Sequence, residues 1–424
     1  MLIFKFGGAS VKDAEAVKNV CQIISLYPKD KKVVVISAMG KTTNALEEIV
    51  DALWNRKYES YRYLVEQVYK YHLSITDHLF LGRHEGILSF MEDLFNNLRD
   101  RIDKPISDNY DFEYDQIVSL GELLSTTIVS EYLLDQTIKA KLIDSKEFIR
   151  TDNLYRNGSV DWSKTQELIS INLVPLLKDS DCLITQGFIG STSEGFATTL
   201  GREGSDYTAG IYAFCLDAIS VTIWKDVPGM LNADPKWFDN TVKLNQISFQ
   251  EAIELAYYGA TVIHPKTIKP LQNKNIPLFV KSFLHPKENG TLIASSTEFD
   301  HLVPSFIFKM NQVKVSVIPK DFSFIVEENL SSIFHLVSGA GAVMNLMQNS
   351  AISFDFVIDN KESVLLKLKE LLSEQYEISL EENLELVTIR HYDDSTLERV
   401  TIGKRIINTQ KSEQTARILM CNIN

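Results

Sequence analysis

Cysteine is scarce in this chain of 424 residues: Cys21, Cys182, Cys215 and Cys421 stand far apart and form no CxxC. That excludes a disulfide framework and a thiolate zinc site, and leaves four small core residues suited to a reducing compartment. The eight histidines are scattered without metal-ligand spacing, so no protein-held metal is expected. Positive charge is also short, with 43 Lys and Arg against 56 Asp and Glu and a net charge of −13. Non-specific nucleic-acid binding needs the opposite balance. No run of about 18 apolar residues offers a membrane span, and the N-terminus has no long apolar stretch of a secretory leader. The expectation is a cytoplasmic protein with no nucleic-acid or membrane partner. Low-complexity segments and internal repeats are missing too, which excludes collagen-like, disordered and fibrous classes.

What is present is the mix of an ordinary globular protein, 45% hydrophobic and 23% charged, long enough for two or three domains. Leu2 to Phe6 reads as a strand, followed by Gly7-Gly8 and a helix with Val17, Val20, Ile23 and Ile24 on one face. Lys31 to Ser37 is a β-branched run typical of a buried parallel strand. Residues 45 to 135 read as mostly helical. Further strands are expected at Ala140–Ile143, Cys182–Thr185, Ile219–Trp224 and Ile276–Val280, and helices at Ser205–Leu216 and Phe249–Tyr258, with Pro265, Pro270 and Pro277 as punctuation. Beyond about residue 300 the pattern changes to βαββαβ, a small α+β layer, with a helix ending at Gly339. The last stretch reads as strands at Leu384–Arg390, Arg399–Ile407 and Thr415–Cys421, with no helix between them.

Four motifs carry candidate chemistry. Lys5-Phe6-Gly7-Gly8-Ala9-Ser10 sets a cation beside exposed backbone N–H groups at a helix start, a phosphate site in physical terms, though not a Walker A loop. In Gly201-Arg202-Glu203-Gly204-Ser205-Asp206, the glycines permit close approach, Ser205 or Asp206 can cap the next helix, and Arg202 can fork onto a carboxylate. Trp224-Lys225-Asp226-Val227-Pro228-Gly229 ends a strand where α/β sheets bind ligands. Glu122, among Leu120, Leu123 and Leu124, is costly to bury without a cationic partner. Each motif alone has a plainer reading, as a strand-to-helix turn, a capped helix, a Pro-Gly turn or a solvated helix face.

Their order along the chain is more specific. Together with Thr185 to Phe188 and Gly259 to Pro265, these segments resemble the successive signatures of aspartate kinases, members of the amino acid kinase superfamily. The resemblance implies an α/β fold, a carbamate kinase-like αβα sandwich with a mainly parallel central sheet, followed by a smaller α+β ACT-like regulatory region. It implies a catalytic domain over 1–297 and a regulatory region over 298–424, with a first unit at about 313–375 and a second, truncated unit at about 384–424. The implied reaction is transfer of the ATP γ-phosphoryl to the side-chain carboxylate of L-aspartate, giving 4-phospho-L-aspartate for lysine, threonine and methionine synthesis. ATP would arrive with Mg²⁺, and the ACT-like region would pair two copies into a homodimer.

Carried over residue by residue, the resemblance makes Lys5 and Asp206 catalytic. It assigns Thr43, Glu122, Arg202, Gly204 and Ser205 to the amino acid. It assigns Lys5, Phe6, Gly7, Gly8, Lys225, Asp226, Leu231, Lys236, Thr261 and Val262 to the nucleotide. Many members have Trp-Thr-Asp and Gly-Ala-Lys-Val where this chain reads Trp224-Lys225-Asp226 and Gly259-Ala260-Thr261-Val262, so Lys225 is expected to supply the ammonium lost at 261. Glu328-Asn329-Leu330 replaces the glycine and apolar residue of regulated members, so inhibition by lysine or threonine is not expected. Two other readings fit less well. A kinase of an acylated amino acid would not need both Glu122 and Arg202, and a non-catalytic sensor would not keep Lys5, Glu122, Arg202, Asp206 and Asp226 together.

Overall fold

The structure is a computed structural model that describes residues 1–82, 85–260, 263–321 and 323–423. It contains two compact units. The first comprises Met1–Met230, Lys243–Ile253 and Thr261–Phe299, the second Leu231–Val242, Glu254–Ala260 and Asp300–Asn424.

The first unit is built on β1 (Leu2–Phe6), β2 (Lys32–Ile36), β3 (Ala140–Ile143), β4 (Cys182–Gln186), the hairpin β5 (Ile189–Ser191) and β6 (Ala197–Thr199), β7 (Ser220–Lys225), β8 (Gln246–Ser248), β9 (Leu278–Ser282) and β10 (Thr291–Ala294). Eight of these form one sheet in the order β3-β4-β2-β1-β7-β9-β10-β8. All pairs are parallel except β9 with β10. The Lys-Val-Val-Val-Ile run of β2 is buried at every position, as a strand covered on both faces must be.

Helix α1 (Ala14–Ser25) is capped by the Asp13 side chain, which accepts from Ala16 N at 2.8 Å, and buries Val17, Val20, Ile23 and Ile24 as the spacing predicts. The helical stretch resolves into α2 (Thr42–Trp54), α3 (Tyr58–Phe80), α4 (Glu85–Arg99), α5 (Tyr110–Val118) and α6 (Leu120–Asp135). One window within Tyr110–Asp135 reaches a mean hydropathy of 1.3, contrary to the expectation that no segment would pass for a membrane span. It is 72% buried inside the fold, so its apolar length serves the core. Then come α7 (Trp162–Leu168), α8 (Gly204–Cys215), α9 (Phe249–Tyr258) and α10 (Pro265–Lys274). Here the prolines do not break structure: Pro265 occupies the first turn of α10, where its missing N–H costs nothing, and Pro270 lies within the helix.

In the second unit, β11 (Ser305–Pro319), α11 (Glu327–Gly339), β12 (Leu346–Asn349), β13 (Phe354–Asp359), α12 (Glu362–Leu372) and β14 (Tyr376–Arg390) give the expected βαββαβ. Helix α11 runs through Gly339, and the left-handed residue beyond its end is Gly341. There follow α13 (Asp394–Thr401), β15 (Lys404–Lys411) and β16 (Thr415–Asn422). The expectation of a strand beginning at Arg399 and no helix was wrong. Asp393 and Thr396 form a reciprocal cap that starts α13, and Val400 faces the core. The antiparallel sheet runs β12-β13-β11-β14-β16-β15. Its two central strands are 15 residues each, with a register shift between Lys309 and Gln312. One half of each therefore serves the first βαββαβ layer, and the other half serves the layer of β16, β15 and α13. Phe238, from the inserted segment, stacks on Phe306 at 4.4 Å within this unit.

Candidate active site

Four neighbouring parallel strands end level: Phe6 pairs with both Ile36 and Trp224, and Ile36 pairs with Gln186. The segments that leave them therefore lie side by side, at the carboxyl ends where open α/β sheets bind ligands. Gly8 is required here, because a Cβ on it would come within 2.7 Å of Gly40 O and 2.8 Å of Ala38 O. A Cβ on Gly204 would come within 2.5 Å of the Phe188 ring, so that glycine lets the start of α8 pack against the turn after β4.

These segments border a cleft of about 460 Å³. Lys5, the penultimate residue of β1, points into it from a nearly buried position. Its Nζ lies 2.5 Å from Asp206 Oδ1, and Lys225 Nζ lies 3.7 Å from Asp206 Oδ2. Asp206 is fully buried in the first turn of α8 and does not cap it. The residue that precedes that turn is Glu203, in the left-handed region at φ 56° with no side-chain cap bond, which corrects the expected role of Ser205 or Asp206. Burial alone would raise the Asp206 carboxyl, but the ammoniums of Lys5 and Lys225 hold it below the usual carboxylate range. Glu203 is raised by burial and by the charge of Asp206. The cluster sets the ammoniums of Lys5 and Lys225 against the carboxyls of Asp206 and Glu203 at the mouth of β1 and β7.

Glu122 approaches the cleft from α6 and is 2% exposed. One carboxyl oxygen accepts from Ala38 N at 3.3 Å; the other, Oε2, has no hydrogen-bond partner among the described residues. Burial pushes this carboxyl up to about 8, and the Ala38 N–H only partly opposes it. A buried acid with an open oxygen on a cleft wall is a socket for a cation brought by a ligand. Thr43, from the first turn of α2, and Arg202, Gly204 and Ser205, from the start of α8, border the same space.

The cleft thus gathers Lys5, Thr43, Glu122, Arg202, Gly204, Ser205 and Asp206. Lys225 joins through its ion pair with Asp206. Gly7 adjoins, since a Cβ there would lie 3.4 Å from Lys5 Nζ. Phe6 is fully buried and stacked on Trp224, so only its main chain is available to a ligand. Asp226 is exposed at the end of β7 and outside the cleft lining. Leu231 and Lys236 belong to the second unit, where the Lys236 ammonium lies 5.7 Å from the Trp237 ring. Thr261 and Val262 lie outside the described residues. Ser37, Glu47, Tyr114 and Arg156, absent from every sequence motif, also line the cleft, as do Phe188 and Glu203, which lay within motifs but were given no role of their own. Glu47 stands four residues after Thr43 on α2, a spacing that puts both on one face and was there to be read. Among these, Arg156, Phe188 and Glu203 hold positive φ of 62°, 70° and 56°, strain gathered in the lining of the cleft.

No group of three or more His, Cys, Asp or Glu among the described residues is arranged to hold a metal ion. The chemistry on offer is a lysine set for phosphoryl oxygens, a guanidinium for a carboxylate and a buried acid for an amine.

Comparison with known proteins points the same way. The model of the amino acid kinase family matches residues 1–282. The lysine-sensitive aspartokinase 3 of Escherichia coli is 30% identical over 420 residues, covering 96% of this chain and 90% of that protein. The chloroplastic aspartokinase 1 of Arabidopsis thaliana is 30% identical over 392 residues, covering 90% and 66%. The crystal structure of E. coli aspartokinase III with aspartate and ADP superimposes with a TM-score of 0.81 at 28% identity, over 99% of this chain and 96% of that one.

Proposed function

This chain belongs to the amino acid kinase family and is an aspartate kinase, and we infer how its own residues carry that reaction. The enzyme transfers the γ-phosphoryl of ATP to the side-chain carboxylate of L-aspartate, giving 4-phospho-L-aspartate, the first step toward lysine, threonine and methionine.

The attacking carboxylate is ionised at neutral pH, so no general base is needed, and catalysis rests on alignment and on cancelling charge at the phosphoryl oxygens. The Lys5 ammonium serves that end, and Asp206 positions it. Lys225 serves the nucleotide phosphates, together with main-chain N–H groups of Gly7 and Gly8. Arg202 takes the α-carboxylate of aspartate, Glu122 its ammonium, and Thr43 and Ser205 give hydrogen bonds. Mg²⁺ would travel on the ATP phosphates and offset their charge. The observation that carries this assignment is the meeting of Lys5, Glu122 and Arg202 on one cleft. We assign catalysis to 1–297 and regulation to the ACT-like 298–424. A cytoplasmic homodimer through that region completes the proposal, with the edge strand β12 and its half-exposed Met347 as support. A monomer by light scattering would refute the dimer.

The direct test is a hydroxylamine trap for an acyl phosphate, run with ATP and Mg²⁺ and either L-aspartate, N-acetylglutamate or no acceptor. A hydroxamate with aspartate alone is expected. Product with N-acetylglutamate instead would transfer the reading to another acid, and none with either would leave a sensor.

A further inference from the structure

Arg156 is a cleft residue that the reaction as described does not use. It lies in the connection between Thr151 and Val160, which bridge to each other, and its φ of 62° is one that glycine or asparagine holds with less strain. The position is fixed from beneath. Its N–H donates to Asp115 Oδ2 at 2.9 Å, and fully buried Asp115 also accepts from Thr199 N at 2.8 Å and Thr199 Oγ1 at 2.7 Å. The guanidinium rests 4.3 Å from the centre of the Tyr114 ring, and the Tyr114 hydroxyl donates to Glu47 Oε1 at 2.5 Å.

What this arrangement gives the fold is small. The side chain is 47% exposed, and its carboxylate partner among the described residues, Asp111 at 3.3 Å, is 51% exposed, an ion pair of the weak kind. What it gives the cleft is a second guanidinium beside Arg202 in the lining, its face resting on Tyr114, from a backbone that passes close to Gly201, where a Cβ would lie 3.4 Å from Arg156 O. An arginine kept at a backbone position that favours glycine, with its guanidinium on a cleft, points to recognition.

We propose that Arg156 is a specificity-determining residue that shares with Arg202 the carboxylate of the substrate that is not phosphorylated, and so selects acids carrying two carboxylates. This rests on the assignment of aspartate as the acceptor. Asn at 156 tolerates the left-handed backbone without the charge, and Gly does so with no side chain, so both variants should fold. Wild type, Arg156→Asn and Arg156→Gly would be compared by steady-state kinetics with L-aspartate and with its α-amide, isoasparagine, in which that carboxylate is neutral. Both variants should raise the KM for aspartate about tenfold, the loss of a charge-assisted hydrogen bond. The KM for ATP and kcat should stay within about twofold, and the KM for isoasparagine should barely move. A purely structural role would shift both acceptors equally and overturn the proposal, as would an unchanged aspartate KM. If wild type itself leaves aspartate untouched, the assigned activity fails instead.

Discussion

Each unit of this molecule holds a cluster of polar side chains inside an apolar frame, and the two clusters are finished differently. In the second unit, Asn345 donates to Gln312 Oε1 at 2.8 Å and to Asp359 Oδ1 at 2.9 Å, Gln312 donates to the same Asp359 oxygen at 2.9 Å, and Lys309 donates to Asn345 Oδ1 at 2.6 Å. Each of these four side chains has a partner within the network, which stabilises a fold. In the first unit, Glu122 keeps an oxygen unpartnered among the described residues, and its carboxyl is raised to about 8. Lys5 turns its ammonium onto Asp206 at 2.5 Å on the same cleft. Unspent polar capacity beside a cleft marks the site, and spent capacity marks the scaffold.

The sharpest way to break this contrast is to remove the lysines in turn. Lys5→Met should lower kcat by about a thousandfold, the scale of losing one preorganised group at a developing charge. Lys225→Met should mainly raise the KM for ATP, by about tenfold, if it replaces the ammonium missing at position 261. An unchanged ATP KM in the second variant would remove Lys225 from the nucleotide site. Equal losses of kcat in both would mean that the two ammoniums act as one unit around Asp206.

Glu122 comes next, and its effect has a definite sign. Its folded value is raised from 4.5 to about 8, so between these limits the folded chain binds a proton that the unfolded chain has released. This contribution to stability is fully present below about pH 4.5 and is lost as pH rises toward 8, by on the order of 4 kcal/mol in total. Glu122→Gln should flatten the pH dependence of chemical denaturation over that window. Substrate binding should show the mirror image. The aspartate ammonium needs the ionised form, so the KM for aspartate should fall as pH rises from about 6.5 toward 8, by about tenfold per unit at most. In the Gln variant it should be higher and pH-independent. A wild-type KM that is flat over this range would show that Glu122 does not meet the ammonium.

Much of the contrast was legible in the residues. β1, β2, β4 and β7 announced themselves because strands buried on both faces are rich in apolar and β-branched residues, and Glu122 stood out as an acid among leucines. The hairpin of β5 and β6 escaped because its strands are three residues each, too short to show a period. Helix α13 escaped because its stretch is polar, although Asp393 and Thr396 were the start signal to look for. Tyr114 and Arg156 carried no local signal at all. Tyr114 borders the cleft from α5, and Arg156 is held beside it by Asp115, which ties the 151–160 connection to α5 and β6. Leu231 and Lys236 were read in line with Lys225; the chain passes into the second unit after Met230, where Phe238 packs on Phe306.

The smallest expected effect tests the other half of the contrast. Asn345 is nearly buried and joins Lys309, Gln312 and Asp359, so Asn345→Ala strips partners from three polar groups at once. A loss of about 1–3 kcal/mol is expected, because groups left without partners bear their desolvation cost. Measured as a shift in denaturation midpoint, that loss should come with kcat and both KM values within about twofold of wild type. Glu122→Gln should give the opposite pairing at neutral pH, a changed KM with no loss of stability, because neutralising a raised acid removes a cost rather than a bond. If Asn345→Ala instead altered the KM for aspartate or ATP as strongly as it altered stability, the closed network would be part of the enzyme's control of its site, and satisfied polar groups would no longer mark the scaffold.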